Sequence, residues 1–205
     1  MQFCPTLRDP YYGFKIISHK YRFIYYEIPK CGSSTIKNII FKNCAGEALS
    51  ASYKIWIPQA PHLVFPENHD VSEYPDYYKF CFIRNPWDRL VSAWSDKRNH
   101  YSFLSEKSFR EFLDLIQNHP NHHWAPCTAF IPHKEDIYTV DFIGRMESFS
   151  DDFTKLCKKL GLTMDSIPRI NASQRKDYRC YYDKRDARYV QTLFASDIDL
   201  GNYCF

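Results

Sequence analysis

The sequence predicts an α/β fold with three layers, in which a parallel central sheet is flanked by helices. Three observations carry that expectation. Short apolar runs rich in β-formers alternate with segments of helical spacing, the pattern of βαβ units. Two of those runs, ending near Ile28 and at Ile83, each lead at once into a turn and a helix start. The 205 residues are 44% hydrophobic and 25% charged, without repeats or low-complexity tracts, which suits one domain with a full core. A single domain over 1–205 is therefore expected, with 1–13 as a poorly structured arm.

The elements follow in order. Residues 14–28 contain Phe23, Tyr25 and neighbouring β-formers and read as one or two strands. The next segment places Ile36, Ile39 and Ile40 on one helical face and ends near Gly46. Pro58, Pro61, Pro66 and Pro75 break residues 47–78 into a long irregular stretch. A strand at 79–83 leads to a helix over 86–98. Asn85 is its N-cap, Pro86 its first position, and Leu90, Val91 and Trp94 its core face. Ser108 and Glu111 form a capping-box pattern for a helix carrying Phe109, Phe112, Leu113 and Ile116. Residues 119–136 read as loop. A strand near 138–143 precedes a helix from Ser148, with Phe149, Phe153, Leu156, Cys157 and Leu160 in one stripe and Gly161 at its end. A last helix is expected at 184–195.

Two stretches carry chemistry. In Tyr21–Lys37 an apolar run stops at Pro29, a loop with Lys30 and Gly32 follows, and Ser33, Ser34 and Thr35 open a helix. The first N–H groups of a helix have no intrahelical acceptor, and the helix dipole favours an anion there. Lys30 adds a mobile positive charge, and the hydroxyls add donors. The nucleoside-triphosphate P-loop is excluded, because no G-x-x-x-x-G-K-[ST] occurs and the lysine precedes the glycine. The second stretch, Lys79–Ser92, ends a strand in Arg84, whose planar fork of donors suits a terminal phosphate; Ser92 lies two turns into the next helix. In a parallel sheet, ligands bind at the carboxyl ends of strands, where both stretches fall.

Taken in this order, the two stretches resemble the PAPS-dependent sulfotransferases, in the carbohydrate (Golgi-type, family 2) branch; PAPS is 3′-phosphoadenylyl sulfate. Two further pieces are similar to elements of that branch: His123-Trp-Ala-Pro126, and Asp141-Phe-Ile-Gly-Arg-Met-Glu147 within Tyr138–Glu147. The resemblance runs from about Tyr21 to the C-terminus. It implies the P-loop-like sulfotransferase fold and transfer of a sulfuryl group from PAPS to a carbohydrate hydroxyl (EC 2.8.2.-), releasing adenosine 3′,5′-bisphosphate (PAP), with no metal required. It further implies that Lys30, Cys31, Gly32, Ser33, Ser34 and Thr35 grip the 5′-phosphosulfate, with Lys30 stabilising the leaving group. Arg84 and Ser92 would then take the 3′-phosphate. Arg175 and Lys176 lie where the family closes a loop over the nucleotide; a solvated basic turn is the competing reading.

A neutral imidazole suits removal of a proton from a sugar hydroxyl near pH 7. His62 is the first candidate, because its distance ahead of Arg84 resembles that of the catalytic histidine in hexuronyl 2-O-sulfotransferases. His69 is next, then His122 and His123. On the acceptor side stand His69, His123 and Trp124, with core packing as the other reading of Trp124. His119, His122, His123, His133 and Cys127 match no common zinc spacing.

Rival classes are a nucleotide- or sulfated-glycan-binding module without catalysis, and a divergent P-loop kinase. The kinase calls for a lysine after a second glycine and a magnesium-binding aspartate at a strand end, and neither is evident. A net charge of +3 gives no argument for nucleic acid. No run of 18 apolar residues occurs, so no membrane span is expected, and the first ten residues are too polar for a signal peptide. The expected location is cytoplasmic, or the Golgi lumen if an N-terminal anchor has been removed. The eight cysteines show neither a stapled framework nor a CxxC pair, and Cys81 and Cys157 read as buried thiols.

Overall fold

A computed structural model describes residues 15–46, 63–64, 71–135, 137–164 and 175–205. In chain order the elements are β1 (Lys15–Ser18), β2 (Phe23–Tyr26), α1 (Ser33–Ala45), β3 (Leu63–Val64), β4 (Tyr78–Ile83), α2 (Pro86–Lys97), α3 (Phe109–Leu115), β5 (His133–Lys134), β6 (Ile137–Tyr138), β7 (Phe142–Arg145), α4 (Phe149–Leu160), α5 (Lys184–Leu193) and α6 (Ala195–Gly201). They fall into two compact units, one within 13–83 and 130–171, the other within 84–129 and 172–205.

The first unit holds the sheet, in the order β3-β1-β2-β4-β7. β2, β4 and β7 run parallel, with Tyr25 opposite Phe80 and Phe82 opposite Gly144. β1 pairs antiparallel with both β2 and β3. The parallel sheet expected from sequence is thus one side of the observed one, from its middle strand β2 to the β7 edge, and the two antiparallel strands form the other side. The fold is α/β, a mostly parallel central sheet flanked by helices. Ile24, Tyr25, Phe80 and Cys81 are wholly buried, as apolar strands covered on both faces should be. Tyr25 stacks on Phe80 at a ring separation of 5.1 Å. Phe82 meets Phe149 and Phe153 of α4 at 5.2 and 5.8 Å. Its ring also crosses Gly144, where a Cβ would lie 2.3 Å from Phe82 Cε1. The glycine of the Asp-Phe-Ile-Gly element is therefore required by close approach of a neighbouring ring.

α1 buries Ile36, Ile39 and Ile40 and ends at Gly46, whose N–H donates to Lys42 O at 3.1 Å. Near its end, the buried Asn43 amide donates to Ile39 O and Thr163 O, both at 2.9 Å, and accepts the Thr163 N–H at 2.7 Å. The strand expected at 138–143 begins four residues later. Ile137 and Tyr138 pair instead with β5 in a separate ribbon. The ladder to β4 opens at Asp141, whose N–H donates to Lys79 O at 2.8 Å and whose carboxylate accepts the Lys79 N–H at 2.7 Å.

In the second unit, Trp87, Leu90, Val91, Phe109, Phe112, Leu113, Trp124, Val190 and Phe194 form one buried cluster. Asn85 caps α2, its Oδ1 accepting from Trp87 N at 3.1 Å and Asp88 N at 3.4 Å. Its Nδ2 donates to Cys204 O at 3.2 Å and so holds the C-terminal residues. The Ser108–Glu111 capping box at α3 is complete in both directions. The last helix differs from expectation. It stops at Leu193; Phe194, buried at 2% exposure, leaves helical geometry at φ −115°, ψ 30°, and α6 follows. Among the described residues, no helix is long and apolar enough to cross a membrane.

Candidate active site

Beyond Tyr26 the chain turns through Glu27–Gly32 into α1, at the edge of the sheet where the parallel strands β2 and β4 both end. The Cys31 N–H donates to Ile28 O at 3.2 Å and closes the turn. Lys30 and Gly32 both take left-handed backbone, at φ 68° and 76°. A lysine there is uncommon and strained, and such strain collects at functional turns. Gly32 occupies the N-cap position without a side-chain bond, and the first intrahelical bond runs from Ile36 N–H to Gly32 O at 3.0 Å. The N–H groups of Ser33, Ser34 and Thr35 accordingly have no acceptor within the helix, and the first turn carries no acidic side chain. This is the electrostatic profile of an anion site.

The hydroxyls divide their work. Ser33 Oγ donates back to Ile28 O at 2.9 Å rather than capping the helix. Thr35 is buried at 8% exposure. The Cys31 thiol is wholly buried, so this residue shapes the turn with its backbone. Glu27 accepts from Lys37 Nζ at 2.8 Å, which offsets the one acidic side chain of the turn. The Tyr25 hydroxyl beneath it is pushed up by burial and by the Glu27 carboxylate, and stays neutral.

Arg84 follows directly on Ile83, the end of β4. It grips Asp88 from the side, Nε and Nη2 lying 2.8 and 2.7 Å from Oδ2. Nη2 of Arg175 meets the other oxygen of the same carboxylate. Two arginines that the sequence reading placed on the nucleotide are therefore brought together, through a residue that reading passed over. The signal was present in the four-residue spacing of Arg84 and Asp88. Ser92, half-buried, lies four residues beyond Asp88 on the same face of α2. Lys176 is exposed beside Arg175. Arg89 is wholly buried and donates to Ala125 O at 2.5 Å. The carbonyl belongs to the His123-Trp-Ala-Pro126 element. Asp197 holds the next residues, accepting from Cys127 N at 2.7 Å and Thr128 N at 3.0 Å.

Within that element Trp124 follows its packing reading: it is 2% exposed, set edge-on against Phe112 at 5.4 Å, and its Nε1 donates to His119 O at 2.7 Å. His123 is half-buried, its ring 3.9 Å from that of His122. His62 and His69 lie outside the described residues. Glu147 is exposed in the turn Met146–Ser148 ahead of α4.

The sequence profile of the Sulfotransferase family matches residues 15–203. The chain belongs to the sulfotransferase family. Within that family it groups with branch 2, whose named members here are carbohydrate sulfotransferases. Human carbohydrate sulfotransferase 9 is 31% identical over 234 residues, covering 91% of this chain and 52% of its own. Carbohydrate sulfotransferase 10 of Xenopus laevis is 26% identical over 242 residues, covering 91% of this chain and 66% of its own. An uncharacterized protein of Archaeoglobus fulgidus is 36% identical over 104 residues, 50% of this chain and 83% of that one. The chain thus spans between about half and two thirds of the length of these two carbohydrate sulfotransferases. The sulfotransferase match takes in the Lys30 turn, the Arg84–Ser92 segment and the His123–Pro126 element alike.

Proposed function

We propose that this sulfotransferase-family chain moves the sulfuryl group of PAPS onto a hydroxyl of a carbohydrate. The observation that carries the reading is the Lys30–Thr35 turn: a strained lysine and a left-handed glycine opening a helix that has no acidic first turn. The named relatives that act on carbohydrates support the acceptor class.

The chemistry asks three things of the protein. Donor and acceptor must be held in line, the leaving phosphate must be neutralised, and the attacking hydroxyl must lose its proton. In the proposed reaction an acceptor oxygen forms a bond to sulfur as the bond from sulfur to the 5′-phosphate oxygen breaks, and PAP departs. Lys30 and the N–H groups opening α1 take the charge growing on that phosphate. Arg84, Ser92, Arg175 and Lys176 hold the 3′-phosphate. His62 takes the acceptor proton, with His69, then His122 and His123, as the other candidates, and His123 contributes to the acceptor side. Trp124 supports that side through the core and does not touch the sugar.

The test is transfer of labelled sulfuryl from PAPS to a panel of oligosaccharides, run beside calorimetric titrations with PAP and with ATP and magnesium. Labelled glycan together with PAP binding in the presence of chelator is the expected result. Binding of ATP with magnesium in place of PAP would turn the reading to a kinase. PAP binding without transfer to any acceptor would turn it to a nucleotide-binding module.

A further inference from the structure

Asp88 lies between the two arginines that the donor reading assigns to the nucleotide. Its Oδ2 takes Arg84 through Nε at 2.8 Å and Nη2 at 2.7 Å, and its Oδ1 takes Nη2 of Arg175. The three side chains are largely covered, at 17%, 22% and 13% exposure for Arg84, Asp88 and Arg175. Arg175 and Asp88 are 87 residues apart in sequence, so the contact ties the first turn of α2 to the chain at Arg175. Two guanidinium groups drawn together repel each other, and a carboxylate between them offsets that repulsion. The two-donor, side-on contact also fixes the plane of the Arg84 guanidinium.

We propose that Asp88 is a positioning residue for the donor: it holds Arg84 and Arg175 as one rigid pair, so that both present their donors to the 3′-phosphate together. The proposal rests on the donor reading above. Its physical basis is preorganisation. An arginine side chain loses rotamer freedom when it binds, and one already held loses less. The opposing effect is direct, because a carboxylate beside an anion site repels phosphate. The side-on contact decides between them. Asp88 engages the Nε–Nη2 edge of Arg84, so parallel donation to a phosphate would fall to the Nη1–Nη2 edge.

The experiment is calorimetric titration of PAP and of adenosine 5′-phosphosulfate, which lacks the 3′-phosphate, into the wild type and into Asp88→Asn, Asp88→Glu, Arg175→Gln and the Asp88→Asn/Arg175→Gln double variant. Asp88→Asn should weaken PAP about tenfold and adenosine 5′-phosphosulfate by less than about twofold. Asp88→Glu should recover most of the loss. The Asn and Gln substitutions should be non-additive toward PAP, because both break the Asp88–Arg175 contact. Tighter PAP binding by Asp88→Asn would show that the carboxylate only repels, and equal losses for both ligands would show a role in the fold alone. Either result overturns the proposal, as do additive effects. If Asp88→Asn does not fold, Arg175→Gln and Asp88→Glu decide, since Arg175→Gln must show the same selective loss of PAP. A wild type that ignores PAP overturns the donor reading itself, and that outcome is distinct because it is seen before any substitution.

Discussion

The wholly buried guanidinium of Arg89 donates to the carbonyl oxygen of Ala125 at 2.5 Å. One residue of the Arg84–Ser92 segment is thereby bonded to the His123–Pro126 element within the same compact unit. Arg89→Ala removes this bond, strands the carbonyl and leaves a cavity, which together should cost about 2–4 kcal/mol. Urea unfolding followed by tryptophan fluorescence measures it. Arg89→Met keeps more of the volume and should lose less. An unchanged unfolding midpoint in Arg89→Ala would mean that the contact does not hold the unit together.

Gly32 is fixed by conformation and by space. Its φ of 76° disfavours any side chain, and a Cβ there would lie 2.8 Å from Met146 Sδ. Gly32→Ala should destabilise the protein by at least about 1–2 kcal/mol from the backbone alone. Adding Met146→Ala relieves the contact but not the backbone strain, so the double variant should recover only part of the loss. Full recovery would assign the whole requirement to Met146.

Burial and the neighbouring Cys31 push the Cys81 thiol far above its usual range, and burial lifts Cys157 to about 11. For groups raised in the fold, the stability they contribute is complete below the unfolded thiol value and is lost as pH rises through the folded value. Stability should therefore be flat up to about pH 8 and decline above it. Alkylation of the native protein at about pH 8 should mark Cys180 and Cys204, which are exposed, and spare Cys31, Cys81 and Cys157. Fast native labelling of Cys81 contradicts this packing.

Removal of the proposed base should leave donor binding intact. His62→Ala is expected to keep its PAP-induced thermal shift and lose roughly 100-fold or more in turnover. Wild-type turnover should fall on acidification through about pH 6.5, as an imidazole base takes up a proton. An active His62→Ala beside a dead His69→Ala or His123→Ala moves the base to that position.

What the sequence made legible was local. The Asn85 cap, the Ser108–Glu111 box and the end of α1 at Gly46 each rest on side chains within a few residues of the backbone they serve. The Lys30 turn was legible for the same reason. The long-range links within each unit were not: Asp88 with Arg175, Arg89 with Ala125, and Asn43 with Thr163 join residues far apart in sequence, and polar side chains at such positions look like ordinary surface. Gly144 could be read as a motif glycine, but the ring of Phe82 that demands it is supplied by the neighbouring strand. The break at Phe194 was missed because an apolar residue there continues the helical stripe, and periodicity does not register a side chain that turns into the core.

Single-turnover transfer of labelled sulfuryl from PAPS, compared between wild type and Lys30→Ala, tests the central claim most directly. Lys30 stands at φ 68° in the turn that opens α1, and its charge should matter most as the bridging oxygen becomes anionic. Turnover by Lys30→Ala should fall roughly 100-fold or more while PAP affinity falls by a smaller factor. Near-normal turnover in that variant, or no transfer from PAPS by the wild type to any glycan, would contradict the account.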